Sequence, residues 1–288
     1  MQAHHRVLTT TALLLAAAAG SAHAQQGVDL TTSFTDFRTW NLYGSALAQN
    51  DTPGNGFTYS NLILTAPASS GQAGAGFAPT ALALDFNTAF SFRFNFFIPT
   101  SNGLLGDGLT FTLSDTPGVG GTGSDLGYGG LAGASVAFAI DTFHFDDEPV
   151  SPSLQWLSGG SATPLAFTET GLGDSIRDPN YQWRASIDYT PSGNGDNSGT
   201  LSGSIEHLNL GSFSVQASVD FAALGLVGAP VYYGFTAANG AATDGHFVTS
   251  AMPVPEPGTW AMLLAGGLMM LLRLSRSQAP RHRPVQAG

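Results

Sequence analysis

Phe90-Ser91-Phe92-Arg93-Phe94-Asn95-Phe96 puts four aromatic rings on one side of the chain and a serine, an arginine and an asparagine on the other. Strict alternation is the period of a β-strand, whose successive side chains point to opposite faces. The segment therefore predicts a strand with one face in a core and the other toward water. The same alternation recurs on both sides of it, in Leu109, Phe111 and Leu113, in Val136, Phe138 and Ile140, and in Phe213, Val215, Ala217 and Val219. Turn-forming clusters separate these runs: Ser101-Asn102-Gly103, residues 118–124, residues 191–197 and Ala238-Asn239-Gly240. No segment between the two ends of the chain keeps a helical period, which predicts no helix longer than two turns there. The reading is all-β, with two sheets packed face to face. Alternation alone leaves a jelly roll and an immunoglobulin-type sandwich both open.

Composition narrows the function. Glycine contributes 37 of 288 residues and charged residues only 10%, so surface polarity comes from Ser, Thr, Asn and Gly. Such a chain could be disordered, but its 19 phenylalanines fall in period-two runs, which argues for a packed core. All 20 Asp and Glu lie between Asp29 and Glu256, against four arginines and no lysine, a formal charge of −16 for that stretch. A surface this acidic repels nucleic acid and anionic lipid. Neutral sugars, cations and basic partners remain open. There is no cysteine, so a domain of this size must rest on its core alone.

Both ends carry targeting patterns. His4, His5 and Arg6, the apolar run 8–19 and Ala22-His23-Ala24 have the layout of a secretory signal over residues 1–24, with the mature chain starting at Gln25. Near the other end, Pro255-Glu256-Pro257 is followed by an apolar run, 259–272, and then by Arg273, Arg276, Arg281 and Arg283. Fourteen apolar residues make a helix of about 21 Å, short of the ~30 Å hydrocarbon core. The arginine cluster is a positive-inside signal, and a snorkelling Arg273 lengthens the span. This order of features resembles a PEP-CTERM sorting signal. The resemblance implies one C-terminal hydrophobic helix within 253–276 and a basic tail, 277–288. It also implies a chain held at the inner membrane of a Gram-negative bacterium until an exosortase-type enzyme processes it.

Two of the predicted strands carry acids that alternation does not explain. They are Asp107, in Gly106-Asp107-Gly108, and Asp141, in Val136-Ala137-Phe138-Ala139-Ile140-Asp141-Thr142-Phe143. This pairing resembles the L-type (legume-lectin-like) lectins, in which a G/A-D-G aspartate binds sugar and a V-A-x-E-x-D-T-F strand holds metal. Further matches follow in the family's order: Phe34 to Ala46, Leu64 to Phe96, Trp183 to Tyr189, Tyr233 to Gly240 and His246 to Ser250. They imply a concanavalin-A-like jelly roll across residues 25–252.

By the same resemblance Asp107 is the acceptor for paired sugar hydroxyls, preceded by a cis peptide bond. Gly129, in the glycine-rich run 126–131, supplies a backbone N–H, Phe143 stacks on the sugar ring, and Asn239 lies in the loop that completes the site. The metal set falls on Asp141, the carbonyl of Phe143, Asp146 and Asp147. The family's glutamate is replaced by Ala139, however, and no histidine occurs between His144 and His207. That loss implies no transition metal, and calcium or no metal at all. From the residues alone, Asp107 reads more readily as an ordinary Asp-Gly turn, and 126–131 and 145–148 read equally as a linker and a solvated acidic loop.

Three functions compete. A non-catalytic lectin would engage exopolysaccharide or a surface glycan. A laminarinase-like glycosidase needs two carboxylates flanking the scissile bond, yet Ala139 and Phe143 stand where its glutamates would fall, and no other hydrolase or nucleotide motif occurs. A structural or adhesion matrix protein would keep the lectin fold with a decayed site.

Overall fold

The alternating phenylalanines land where the period puts them: Phe90, Phe92, Phe94 and Phe96 are buried, while Ser91, Arg93 and Asn95 reach the opposite face. The computed structural model describes residues 26–253 apart from 55, 100–103 and 179–181. Strands are numbered β1 to β15 in chain order. One sheet runs from edge to edge as β13 (Gly211–Asp220), β12 (Ser198–His207), β11 (Trp183–Pro191), β6 (Phe90–Phe97), β15 (His246–Pro253), β4 (Phe57–Thr65) and β3 (Leu47–Asp51). The other runs as β10 (Ala166–Glu169), β9 (Ser153–Ser158), β8 (Ser135–Asp141), β7 (Gly108–Ser114), β14 (Tyr232–Ala238), β5 (Ala73–Phe77) and β2 (Asn41–Gly44). Many neighbours in a sheet are distant in sequence, and the result is a jelly-roll sandwich. Helix among the described residues is limited to three short 3-10 turns, at Phe37–Thr39, Gly123–Asp125 and Gly173–Arg177.

Pairing is antiparallel with one exception. β15 pairs with β6 only over Asn95–Phe97, which leaves the backbone groups of Phe90–Arg93 open on that edge. β1 (Gln26–Asp29) fills the gap in parallel register, Gln26 opposite Phe90 and Asp29 opposite Arg93. An unpaired buried N–H or C=O costs about as much as a lost hydrogen bond, and the short parallel strand removes that cost.

Between the sheets lies one aromatic core. Phe94 meets Phe235 edge-on at 4.8 Å, Phe92 meets Phe111 at 4.8 Å, and Phe138 meets Trp156 at 5.5 Å. Each fully buried Phe is worth roughly 1.5–3 kcal/mol, the sort of reserve a chain without disulfides needs. β7 and β8 are buried on both faces. Their Phe and Leu side chains enter the main core, whereas Ala137 and Ala139 form a second cluster with Leu126, Tyr128, Leu131 and Leu157. The glycine-rich loop after β7 thus packs over the outer face of the sheet, and small residues beneath it let it lie close.

Among the described residues no helix is long and apolar enough to cross a membrane. The signal sequence expected at 1–24, the helix expected within 253–276 and the basic tail fall outside the described residues, apart from the end of β15.

Candidate functional site

The register of β7 against β8 sets Gly108 opposite Asp141, so Asp107 and Asp141 sit at the same end of adjacent strands. The Gly106–Asp107 peptide bond is cis. Main-chain contacts clamp the turn on two sides: Asp107 N–H donates to the Ala238 carbonyl at 3.2 Å, and the Asp107 carbonyl accepts from Thr142 N–H at 2.7 Å and Thr142 Oγ1 at 3.0 Å. The residue is only 5% exposed. Its Oδ2 accepts from Gly240 N–H at 2.5 Å, and its Oδ1 takes no hydrogen bond from any described residue. Burial pushes the Asp107 carboxyl above its ordinary range; the Gly240 N–H opposes this, and repulsion from Glu148 and Asp244 adds to it.

Phe143 is half-buried beside this turn, and its N–H donates to Asp141 Oδ1 at 3.0 Å. Gly106 has φ +151°, and a Cβ there would lie 2.4 Å from the Phe143 Cβ. Only glycine fits at 106, because the aromatic residue packs directly on the backbone.

Two residues expected here have other tasks. The Gly129 N–H donates to the Asp125 carbonyl at 2.7 Å, and Gly127 and Gly130 donate to Gly121 and Gly160. A Cβ on Gly129 would lie 2.2 Å from Asp125 Oδ1, so this glycine serves loop closure. The loop residue that lies beside Gly240 is instead Gly123: a Cβ on Gly240 would lie 3.3 Å from the Gly123 Cα and, on the Asp107 side, 3.6 Å from Asp107 Oδ2. Asn239 is fully buried, with Nδ2 donating to the carbonyls of Ser69 and Asp244 and Oδ1 accepting from Gln72 N–H at 2.9 Å. Its amide is consumed in shaping the loop that presents the Gly240 N–H.

Beneath that loop lies a polar cluster. The Arg177 guanidinium, at the end of the Gly173–Arg177 turn, donates from Nε to Asp244 Oδ2 at 2.6 Å and from Nη2 to the Thr142 carbonyl at 3.2 Å. The Arg177 and Asp244 side chains are 3% and 0% exposed. Burial raises the Asp244 pKa; attraction to Arg177 and the nearby Gly106 N–H oppose it.

His246 completes the cluster. Its Nδ1 lies 2.7 Å from Thr65 Oγ1, whose hydroxyl also reaches the Asp244 carbonyl at 3.0 Å. The single hydroxyl proton goes to that carbonyl, so His246 donates from Nδ1 and its buried Nε2 has no described partner. Burial, with the Arg177 charge adding to it, pushes the His246 pKa down to about 3. Between that value and the unfolded value near 6.5 the unfolded chain binds the extra proton, so stability falls as pH drops through this window. In denaturant unfolding, the advantage of wild type over His246→Phe is expected to shrink below pH 6.5 by on the order of 1 kcal/mol per pH unit. A pH-independent difference would show that His246 stays solvated.

No protein-family model and no curated protein matches the chain in sequence. In structure it is similar to the Bauhinia forficata lectin solved in complex with GalNAc, with 21% identity, a TM-score of 0.58 and coverage of 77% of this chain and 96% of that one. The chain has the legume-lectin fold. The winged bean acidic lectin complexed with methyl-α-D-galactose is similar too, with 21% identity, TM-score 0.54 and coverage of 75% and 94%. So is lectin I-B4 from Griffonia simplicifolia in its metal-free form, with 19% identity, TM-score 0.56 and coverage of 75% and 94%.

On this legume-lectin framework the metal set expected at Asp141, Phe143, Asp146 and Asp147 does not assemble. Among the described residues no three His, Asp or Glu side chains converge where one ion could be held. Asp141, Asp146 and Asp147 line a common cleft of about 770 Å³ together with Glu148 and Glu169. Asp141 is already satisfied: Oδ1 accepts from Phe143 N–H and Ser151 Oγ, both at 3.0 Å, and Oδ2 from Gln155 Nε2 at 2.8 Å. Gln155 stands directly across the sheet from Ala139, and Ala139 is packed in the apolar cluster under the loop. An amide donor and a methyl group thus stand beside Asp141 where further acids would be needed, and this chemistry does not fit a cation. Burial pushes the Asp141 pKa up to about 7, opposed by the Phe143 and Ser151 hydrogen bonds and reinforced by Glu148 and Asp107.

Sequence reasoning missed Gly123, Gly240, Gln155, Arg177 and Asp244. Arg177 had one signal, as a rare cation in an acidic body. The Gly123 and Gly240 backbone groups had none, since every residue but proline carries an N–H.

Proposed function

We propose that this chain is an exported, non-catalytic saccharide-binding protein of the bacterial envelope. The observation that carries the reading is the Asp107 carboxylate. One of its oxygens is fixed by the Gly240 N–H and the other is left without a described partner, beside a half-buried aromatic residue. An ionised carboxylate with a backbone donor alongside suits paired hydroxyls, and an aromatic face suits the C–H surface of a sugar ring. The fold supports this reading, since the Bauhinia lectin was solved with GalNAc and the winged bean acidic lectin with methyl-α-D-galactose. These two sugars are the first to test. Ala139 and Phe143, standing where a glycosidase would need carboxylates, support a non-catalytic role.

The signal pattern over 1–24, the Pro-Glu-Pro motif and the terminal arginines support export, anchoring in the inner membrane through the C-terminal helix and processing by an exosortase-type enzyme. Exopolysaccharide or another surface glycan is then the partner within reach. The commitment of Gly129 and Asn239 to loop structure favours a second reading, a matrix or adhesion protein with a decayed site. A broad glycan array, run with calcium and with chelator, separates the two. Binding of a defined glycan supports the lectin reading, and no binding in either condition gives the matrix reading.

A further inference from the structure

A sugar acceptor built from one turn and a donor built from a distant loop work only if something fixes the two relative to each other. Gly106–Asp107 lies before β7, Thr142 follows β8, and Gly240 belongs to the loop between β14 and β15. The buried Arg177 side chain touches two of these segments. Arg177 holds Asp244, in the Gly240 loop, through Nε, and the Thr142 carbonyl through Nη2. Thr142 in turn donates twice to the Asp107 carbonyl. The guanidinium thereby joins the acceptor turn to the donor loop through charge-assisted contacts at 2.6 and 3.2 Å. A planar fork holds both at a fixed geometry, whereas a lysine ammonium at the same place is a point charge without that fork. On the far side of the turn, Asp141 accepts from Phe143, Ser151 and Gln155, and Ala139 is packed in the apolar cluster under the loop.

We propose that Arg177 is a positioning residue for the Asp107 site, and that its fixed guanidinium, with no metal ion, sets the geometry between Asp107 and the Gly240 N–H. The Asp141 side of the site is held by neutral donors from the protein itself. The inference rests on the saccharide reading only for its binding arm.

The test follows the Gly240 amide proton by NMR in the isotopically labelled full chain, with thermal unfolding and titration of N-acetylgalactosamine and galactose alongside. A proton held 2.5 Å from a carboxylate oxygen, heavy atom to heavy atom, resonates far downfield, and this signature needs no ligand. Exhaustive chelation followed by calcium is expected to leave the resonance, the unfolding temperature and saccharide affinity unchanged. R177Q and R177K are expected to move the Gly240 resonance upfield and to weaken saccharide binding about tenfold or more, the worth of one charged hydrogen bond. In an Asp107→Asn background R177K should weaken binding no further, because it acts through Asp107.

Loss of the Gly240 signature on chelation, restored by calcium, overturns the proposal. So does a folded R177Q or R177K with the wild-type resonance. If R177Q does not fold, R177K decides alone. If wild type binds neither sugar nor any arrayed glycan while the Gly240 resonance responds to Arg177 and ignores chelation, the positioning inference stands and the saccharide reading falls.

Discussion

Asp107→Asn is expected to lower saccharide affinity by roughly 10- to 150-fold, the 1.5–3 kcal/mol carried by a hydrogen bond to a charged group. The substitution keeps the side chain's shape and leaves an oxygen to accept from Gly240 N–H. What it removes is the charge and one acceptor, and Asp107 Oδ1 is the oxygen without a described protein partner. Thermal stability should stay level or rise slightly, because burial already disfavours the charged form of this carboxyl and a neutral amide escapes that cost. Asp107→Ala is less clean. It loses the same binding but also strips the Gly240 N–H of its acceptor, which costs about 1–3 kcal/mol if that donor stays buried. If wild type binds a glycan and both variants bind it equally well, the saccharide lies elsewhere on the fold.

Asp244→Ala should produce the largest loss of stability, about 3–5 kcal/mol, because it leaves the Arg177 guanidinium buried at 3% exposure without its counter-charge. For a fold of this size that is a drop of roughly 10 °C in Tm. Among the described residues Arg177 then retains the Thr142 carbonyl and a 3.5 Å contact with the exposed Asp174. Asp244→Asn keeps an acceptor for Arg177 and should lose less. Replacing both partners, Arg177→Met with Asp244→Leu, should fold closer to wild type than Asp244→Ala alone, since a buried pair costs desolvation that an apolar pair does not. Thermal unfolding of the three variants ranks them. If Asp244→Ala shifts Tm by less than ~2 °C, water reaches Arg177 and the pair is not a buried one.

The amino-acid sequence by itself determined the sandwich. Phe90, Phe92, Phe94 and Phe96 had to share a face, because side chains alternate along any strand whatever its neighbours. The placement of Asp107 at the start of one strand and Asp141 at the end of another was equally local, and Ala139 in place of an acid was legible at a glance. Tertiary structure alone decided what those acids meet. Gly123 lies beside Gly240 while the Gly129 N–H is spent on Asp125, and hydrogen bonds between backbone groups leave no mark in residue type. Asn239 spends its amide on Ser69, Gln72 and Asp244, contacts up to 170 residues apart. Arg177 finds Asp244 across 67 residues, and only the sandwich, by excluding water from both, turns two ordinary charges into a fixed joint between the Asp107 turn and the Gly240 loop.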